Sequence, residues 1–135
     1  MTIKGKAYIA GIYEHPTRKA EGITISQLHA EVAKGALDDA GLSMRDVDAY
    51  YCAGDAPGLG GMSIAEYLGL QARHVDSTET GGSSYIVHVN HAAQAIATGK
   101  CKIALITLAG KPRTGGAQPG RAAMAIQPPD APFEA

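Results

Sequence analysis

The chain has 135 residues, of which 45% are hydrophobic and 19% charged, and this predicts one globular domain with a modest core. Twelve basic and thirteen acidic side chains give a formal net charge of −1, which argues against nucleic acid or an anionic membrane as a partner. No apolar run approaches the ~20 residues of a membrane helix, and two cysteines are too few for a disulfide scaffold, so we expect a cytoplasmic chain with reduced thiols.

A strand and a helix are predicted first. Residues 6 to 13 are rich in β-branched, aromatic and small side chains and are followed by Pro16, which favours a buried first strand. A helix is expected to begin at Thr24, because Thr24 and Gln27 have the spacing of a capping box. The helix should end at Gly41, since glycine tolerates the left-handed conformation that terminates helices.

A second strand, a short helix and a third strand follow. Residues 43 to 46 predict a capped turn, and residues 47 to 53 predict the second strand. A glycine-rich loop then leads to a short helix that is expected to begin at Ser63, with Glu66 as its reciprocal cap. Residues 73 to 79 predict a third strand, whose polarity suits a sheet edge or a contact between subunits.

The last helix and strand complete a β-α-β-α-β-α-β order. Residues 83 to 98 carry apolar side chains at helical spacing, and residues 102 to 108 form an apolar run that is typical of a central strand. This order predicts an α/β fold with a mostly parallel, mixed sheet and helices on both faces. We expect residues 1 to 110 to form this domain, and residues 111 to 135 to be a Gly/Pro-rich tail or the start of a loop domain.

The glycine turn, defined here as residues 77 to 84, is the best candidate site. It leads from a strand end into a helix N-terminus, where ligands of parallel sheets bind. Backbone amides near Gly81, Gly82, Ser83 and Ser84, together with the helix dipole, could hold a carbonyl oxygen, a carboxylate or a phosphate. The alternative is an ordinary strand-to-helix turn in which one of the two serines caps the helix.

Three specific motifs are absent from the glycine turn. The spacing of a nucleotide-binding glycine loop does not occur there, and Ser83 lacks the second glycine of a hydrolase nucleophile elbow. No cysteine lies in the turn. His88 and His91 are close on the next helix, but they are expected to be packed or hydrogen-bonded rather than metal ligands. His29 has no partner that the sequence reveals.

Three stretches resemble the thiolase superfamily: AEVAKGALDDAGLSMRDVDAYYCAG, SIAEYLGL and GGSSYIVHVNHAAQAIATGKCKIALIT. The resemblance covers about residues 5 to 110 and is greatest to sterol-carrier-protein-x-type thiolases and thiolase-like lipid-transfer proteins. Members of the superfamily carry a nucleophilic cysteine at the start of the third helix. Counting back from Gly99 places Gly82, or Ser83 with one residue of slack, at that position. The resemblance therefore implies a thiolase-like site without its nucleophile.

The resemblance also implies an activity. It suggests the N-terminal half of an enzyme that acts on carbon–carbon bonds of acyl-CoA, with retro-aldol cleavage of a steroid or aromatic side-chain acyl-CoA as the reaction that needs no thiol. Gly82 and Ser83 would be the catalytic positions, and Gly81 and Ser84 would contact substrate. The implied substrate is a coenzyme A thioester, with no further cofactor and no metal. A non-catalytic acyl-CoA or lipid-binding scaffold and an unrelated small α/β binding domain remain the alternatives.

The implied partners are proteins. Relatives form homodimers through the strand that corresponds to residues 73 to 79. They also contain a C-terminal thiolase half, which supplies the general base, and their branch works with a small acyl-CoA-binding protein built from an OB-fold and a zinc ribbon. We therefore expect a homodimer, a C-terminal half and a partner of that kind.

Overall fold

The computed structural model describes residues 2–53 and 56–111. In chain order, its α-helices and strands are α1 (Ile25–Ala40), β1 (Ala49–Tyr51), α2 (Gly61–Tyr67), β2 (His74–Asp76), α3 (Ser84–Ala97) and β3 (Ala104–Ile106), and the predicted capped turn is a short 3-10 helix, Met44–Asp46. The three strands form one parallel sheet in the order β2-β1-β3. The predicted α/β class is confirmed, although the described sheet has three strands rather than four.

Strand β1 lies in the middle of the sheet, paired with β2 and β3, and helices cover both of its faces. Tyr50 faces a cluster that includes Ala33 and Leu37 of α1 and Ile64 of α2. Its neighbours in the strand face the other way, towards Ala92 and Ala95 of α3. The alternation of side chains along a strand thus places helices on both faces, as predicted.

Helix α1 begins and ends as its sequence predicts. The Oγ1 of Thr24 accepts a hydrogen bond from the backbone N–H of Gln27 at 3.1 Å. The Gln27 side chain bonds to Glu31 instead of returning to the cap, so only half of the capping box forms. Gly41 ends the helix at φ +68°, a conformation that costs glycine little. Helix α3 likewise occupies almost the whole predicted range.

The prediction for helix α2 was wrong at its start. The helix begins at Gly61, after Gly60 in a left-handed conformation with φ +62°. Ser63 lies inside the helix rather than at its cap, and its Oγ accepts a hydrogen bond from the N–H of Leu59 at 2.9 Å. The serine therefore stabilises the preceding loop, which a sequence pattern does not distinguish from a cap.

The prediction of a buried first strand over residues 6 to 13 was also wrong. No described strand pairs with this segment, and Tyr8 is 83% exposed. The segment lies against α1, where a Cβ at Gly11 would come within 2.3 Å of the carbonyl oxygen of Ala36. Strand-forming residues need a neighbouring strand, and the described part of the sheet offers none on this side.

The two outer strands are shorter than predicted. Strand β2 lies at one edge, as its polarity suggests, whereas β3 lies at the other edge of the described sheet although its sequence predicts a central strand. Residues 112–135 lie outside the described residues, so the expected tail is untested. Within the described ranges, no helix has the length and apolar character needed to cross a membrane.

Candidate functional site

The glycine turn follows β2 and ends where α3 begins. Residues 79 to 83 are exposed. Gly81 adopts φ +70°, which only glycine adopts at little cost, and a Cβ built at Gly81 or at Gly82 would meet no atom within 4 Å. Open space therefore lies where the resemblance places the side chain of a nucleophile.

Several backbone groups of the turn are bonded within it. The N–H of Gly81 donates to a carboxylate oxygen of Glu79 at 2.7 Å, and the N–H of Thr80 donates to Ser84 Oγ at 2.8 Å. The N–H of Ser84 donates to the carbonyl oxygen of Gly81 at 3.0 Å. These bonds fix the shape of the turn and use three of its five amides between Thr80 and Ser84.

The remaining two amides of that stretch belong to Gly82 and Ser83. Among the described residues, neither N–H donates a hydrogen bond within 3.5 Å, although Gly82 forms an isolated backbone bridge with Thr80. The two donors are adjacent and lie at the positive end of α3, a helix of 14 residues. Two adjacent donors of this kind can stabilise negative charge that develops on a carbonyl oxygen.

The two serine hydroxyls are bonded to the protein itself. Ser83 Oγ donates to the carbonyl oxygen of Thr80 at 2.9 Å, and the buried Ser84 Oγ donates to that of Gly81 at 2.7 Å. Ser83 occupies the N-cap position of α3, but its side chain makes no cap bond to the helix. The groups of the turn that remain available to a ligand are consequently backbone N–H groups and not the serine hydroxyls.

Glu79 is a feature of this turn that sequence reasoning missed. One carboxylate oxygen accepts from the N–H of Gly81 and lies 3.2 Å from Ser84 Oγ. The side chain thus places a negative charge beside the helix N-terminus, where the dipole favours it. The sequence feature that could have identified Glu79 is its position, since it is an acidic residue just before a predicted helix start.

A buried polar network joins α1 to the carboxyl-terminal parts of β1 and β3. Thr107 Oγ1 is 2.7 Å from His29 Nδ1 and 2.6 Å from the hydroxyl of Tyr50, and Cys52 Sγ is 3.9 Å from His29 Nε2. Burial lowers the pKa of His29 to about 4 and raises that of Tyr50. All four side chains are buried, so we assign the network to packing.

A second polar cluster, which contains His91 and Asp76, lies between α3 and β2. His91 Nδ1 is 2.5 Å from a carboxylate oxygen of Asp76, as expected for a hydrogen-bonded histidine. Partial burial alone would raise the pKa of Asp76, but hydrogen bonds from Thr78 and His91 outweigh it and lower the pKa to about 2. In the described part of the chain, no three His, Cys, Asp or Glu side chains are grouped as metal ligands.

The glycine turn lines neither of two concave regions in the described part of the chain. The first, called the groove here, has a volume of about 770 Å³ and lies between residues 7 to 20, helices α1 and α3, and strand β3. The second, of about 290 Å³, lies beside His74, Asp76 and His91. The turn is therefore an open surface feature.

Comparisons with known proteins identify the fold. No family model and no curated protein matches the sequence. Among solved structures, an Ltp2–ChsH2(DUF35) aldolase is 28% identical with a TM-score of 0.70, over 87% of this chain and 31% of that one. A monomeric SCP2-thiolase like protein type 1 from Mycobacterium smegmatis is 25% identical with a TM-score of 0.58, over 73% of this chain and 22% of that one. A 3-oxoacyl-[acyl-carrier-protein] synthase III from Aquifex aeolicus VF5 is 24% identical with a TM-score of 0.57, over 66% and 30%.

These neighbours are thiolase-fold proteins, and the chain has a thiolase-like fold. The resemblance that the sequence suggests is thereby confirmed. The chain spans only 22% to 31% of the length of these three neighbours.

Proposed function

We propose that this chain is part of a thiolase-like enzyme that cleaves carbon–carbon bonds of acyl-CoA by a retro-aldol reaction without a cysteine nucleophile. The observation that carries the proposal is the pair of amides at Gly82 and Ser83, which donate no hydrogen bond within the described residues, beside the open space that a Cβ at Gly82 would enter. Two neighbours support the class of chemistry, since one is named as an aldolase and the other as a SCP2-thiolase like protein.

The proposed reaction uses the two amides for one step. A general base outside this chain removes the proton from the β-hydroxyl group of the substrate. The bond between Cα and Cβ then breaks, a carbonyl forms at Cβ, and the electron pair moves into the thioester as an enolate. The N–H groups of Gly82 and Ser83 hydrogen-bond the enolate oxygen, and a proton returns to Cα. No covalent bond to the protein forms, so a cysteine is unnecessary.

The remaining parts of the site belong to other polypeptide segments in this proposal. The glycine turn is open, whereas stabilisation of an enolate is strongest where water is excluded. We propose that a C-terminal thiolase half covers the turn and supplies the base. We also propose a small acyl-CoA-binding partner with an OB-fold and a zinc ribbon, and the aldolase neighbour, whose name joins two components, motivates that choice.

The test compares two substitutions at Ser83 in the complete assembly. Ser83→Pro removes the proposed N–H donor, and φ −81° at this residue is compatible with proline. We expect kcat for release of the shorter acyl-CoA to fall by about 10²- to 10³-fold, which is the usual effect of losing one oxyanion donor. Ser83→Ala removes only the hydroxyl and should change kcat much less. Equal effects of the two variants would contradict the proposal.

A non-catalytic scaffold that binds acyl-CoA or lipid is the second candidate. The carboxylate of Glu79 favours it, because this charge lies beside the donors and would repel an enolate. Titration of the assembly with a β-hydroxyacyl-CoA separates the candidates. Saturable binding without turnover would establish the scaffold, whereas turnover that Gly82→Trp abolishes by filling the open space would establish the enzyme.

A further inference from the structure

Three buried polar atoms between β1 and α3 have no hydrogen-bond partner among the described residues. They are the hydroxyl oxygen of Tyr51 and the two ring nitrogens, Nδ1 and Nε2, of His88. Both side chains are 0% exposed. Most buried polar atoms in folded proteins are hydrogen-bonded, because a donor or acceptor that leaves water without gaining a new partner destabilises the fold. These three atoms therefore require an explanation.

The two side chains meet at the interface between the sheet and the helix. The ring centres of Tyr51 and His88 are 5.8 Å apart, and the ring planes are inclined at 48°. Tyr85 packs with its ring nearly perpendicular to that of His88, at 5.9 Å. In the C-terminal half of α3, by contrast, the side chains that pack on the sheet are those of Ala92 and Ala95. The contact of α3 with β1 is thus apolar at one end of the helix and polar at the other.

The atoms without partners can both donate and accept hydrogen bonds. Burial raises the pKa of Tyr51 to about 12, so its hydroxyl keeps the proton at neutral pH and can act as donor and as acceptor. An uncharged imidazole has one N–H donor and one nitrogen acceptor. Tyr51 and His88 form no direct hydrogen bond with each other. A molecule that both donates and accepts could bridge them.

A polar concave region lies next to this pair of side chains. The ring centre of His74 is 5.7 Å from that of Tyr51, and the ring centre of His91 is 6.5 Å from that of His88. Both of these outer histidines line the smaller concave region, which has a volume of about 290 Å³ and is also lined by Asp76. A single layer of side chains therefore separates the buried pair from an open polar surface.

We propose that Tyr51 and His88 form a binding site for ordered water, in which at least one water molecule bridges the Tyr51 hydroxyl and a ring nitrogen of His88. Buried waters typically make about three hydrogen bonds to polar groups that would otherwise be unsatisfied. The bridging molecule would lie in the wedge between the two inclined rings. It would join β1 to α3, the helix that begins at the glycine turn. The inference does not depend on the proposed function.

Water fits this site better than a metal ion or an organic ligand. In the part of the chain that the structure describes, no three His, Cys, Asp or Glu side chains could hold a metal ion, and a phenol that keeps its proton is a poor ligand for one. The full burial of Tyr51 and His88 leaves no opening for an organic molecule. A water molecule is small and supplies donors and acceptors together, as these neutral side chains require.

The first test is the sign of the stability change that Tyr51→Phe causes in the full chain of 135 residues. If water bonds to the hydroxyl, its loss should lower the equilibrium constant for folding about two- to tenfold, the usual effect of one lost hydrogen bond. If the hydroxyl is buried with no partner at all, the substitution removes an unsatisfied group and should stabilise the fold. The urea midpoint of unfolding measures the change. A midpoint that rises or stays unchanged overturns the proposal.

Tyr50→Phe is the matched control for this substitution. The hydroxyl of Tyr50, the preceding residue in β1, lies 2.6 Å from Thr107 Oγ1. Removing it should lower the midpoint through the loss of that hydrogen bond and should leave the proposed water in place. The control therefore calibrates the cost of losing one bonded tyrosine hydroxyl in this strand.

The second test counts the internal water molecules directly. Magnetic relaxation dispersion of oxygen-17 water reports how many waters reside for long times inside the full chain. We expect the amplitude to fall by at least one molecule in the double variant Tyr51→Phe/His88→Leu, which replaces all three polar atoms by apolar groups, and to be unchanged in Tyr50→Phe. Equal amplitudes in the unaltered chain and the double variant would overturn the proposal. The two tests are independent, so the first decides the matter if the double variant does not fold.

Discussion

The two adjacent glycines of the glycine turn have different physical roles. Gly81 needs its freedom, because its φ of +70° would strain any residue with a side chain. Gly82 has no positive φ, and a Cβ there would meet nothing within 4 Å. The backbone therefore requires glycine at one position and accepts other residues at the next. A substitution at Gly82 can consequently probe the site without destroying its shape.

Gly82→Cys should create a thiol whose pKa is lowered. A sulfur at this position would lie beside the N-terminus of α3, where we expect the helix dipole and the amides of Gly82 and Ser83 to outweigh the carboxylate of Glu79 and to stabilise a thiolate. We expect its pKa to fall by about one unit or more below the ordinary value of ~8.5, as helix N-termini commonly produce. The rate of alkylation by iodoacetamide, measured against pH, reports this pKa.

The control for that measurement is Asn90→Cys, an exposed position in the middle of the same helix. Its thiol should titrate near the ordinary value, because the dipole acts mainly within the terminal turns. The native Cys52 and Cys101 are buried, so they should react slowly in both variants. If the two introduced thiols have the same pKa, the turn does not stabilise anions, and the proposed enolate site loses its physical basis.

At the scale of helices and strands, the sequence predicted what local interactions decide. Helix α1 was predictable from Thr24 and Gly41, because caps and periodicity act within a few residues. The start of α2 was not, since Ser63 bonds backwards to the loop and not to its own helix. The prediction of the first strand was wrong for another reason. Residues 6 to 13 have the composition of a strand, but strand pairing depends on a neighbouring strand that no local sequence pattern reveals.

The candidate site was predictable only in part. The glycine pair and the following helix identified the glycine turn from sequence. The engagement of Ser83 and Ser84 by backbone carbonyls depends on the path of the turn and could not be read from residue types. The partners of His29 were equally hidden, because Thr107 lies 78 residues away along the chain. Contacts across the sheet require the fold to be known first.

The network around His29 makes the packing of α1 on the sheet sensitive to pH. Burial lowers the pKa of His29 from 6.5 to about 4, so the folded state favours the neutral ring while the unfolded chain takes up a proton below pH 6.5. The contribution of His29 to the free energy of unfolding is therefore fully present above pH 6.5 and declines as the pH falls towards 4. The full loss amounts to about 3 kcal/mol at 1.36 kcal/mol per pKa unit.

The measurement is the urea midpoint of unfolding between pH 7 and pH 5, a range above the ordinary titration of carboxyl groups. His29→Gln should lower the midpoint at every pH, because it disrupts a buried hydrogen bond, and it should also flatten the slope. His74→Gln alters a partly buried histidine outside the network and should retain the slope. A slope that survives in His29→Gln would assign the pH dependence to another group.

Within residues 2–53 and 56–111, the sheet presents two unlike edges that no further strand covers. The edge of β3 is apolar and lies in the groove, whereas the edge of β2 is polar and exposed. The N–H of Cys52 donates to the carbonyl oxygen of Asp76, so His74 and Asp76 direct their backbone groups to β1, and Val75 directs its groups outward. The two edges should therefore accept different partners.

We propose that two copies pair antiparallel through β2. A two-fold axis at Val75 would let this residue exchange both backbone hydrogen bonds with its copy. The same axis would place His74 of each subunit directly opposite Asp76 of the partner subunit, which gives two such pairs. Opposite charges at such positions contribute about 0.2–1 kcal/mol each when the histidine is protonated. This register uses the only outward-facing residue of β2, and the side chains concerned line the smaller concave region.

Val75→Pro removes the central hydrogen-bond donor of that pairing and should shift a dimer to monomer in sedimentation equilibrium. Ile106→Pro alters the opposite edge of the described sheet and should leave the dimer unchanged. One structural neighbour is named as monomeric, so the fold itself does not demand this contact. If the unaltered chain sediments as a monomer at high concentration, β2 is not a dimer edge, and its polar side chains serve to keep it unpaired.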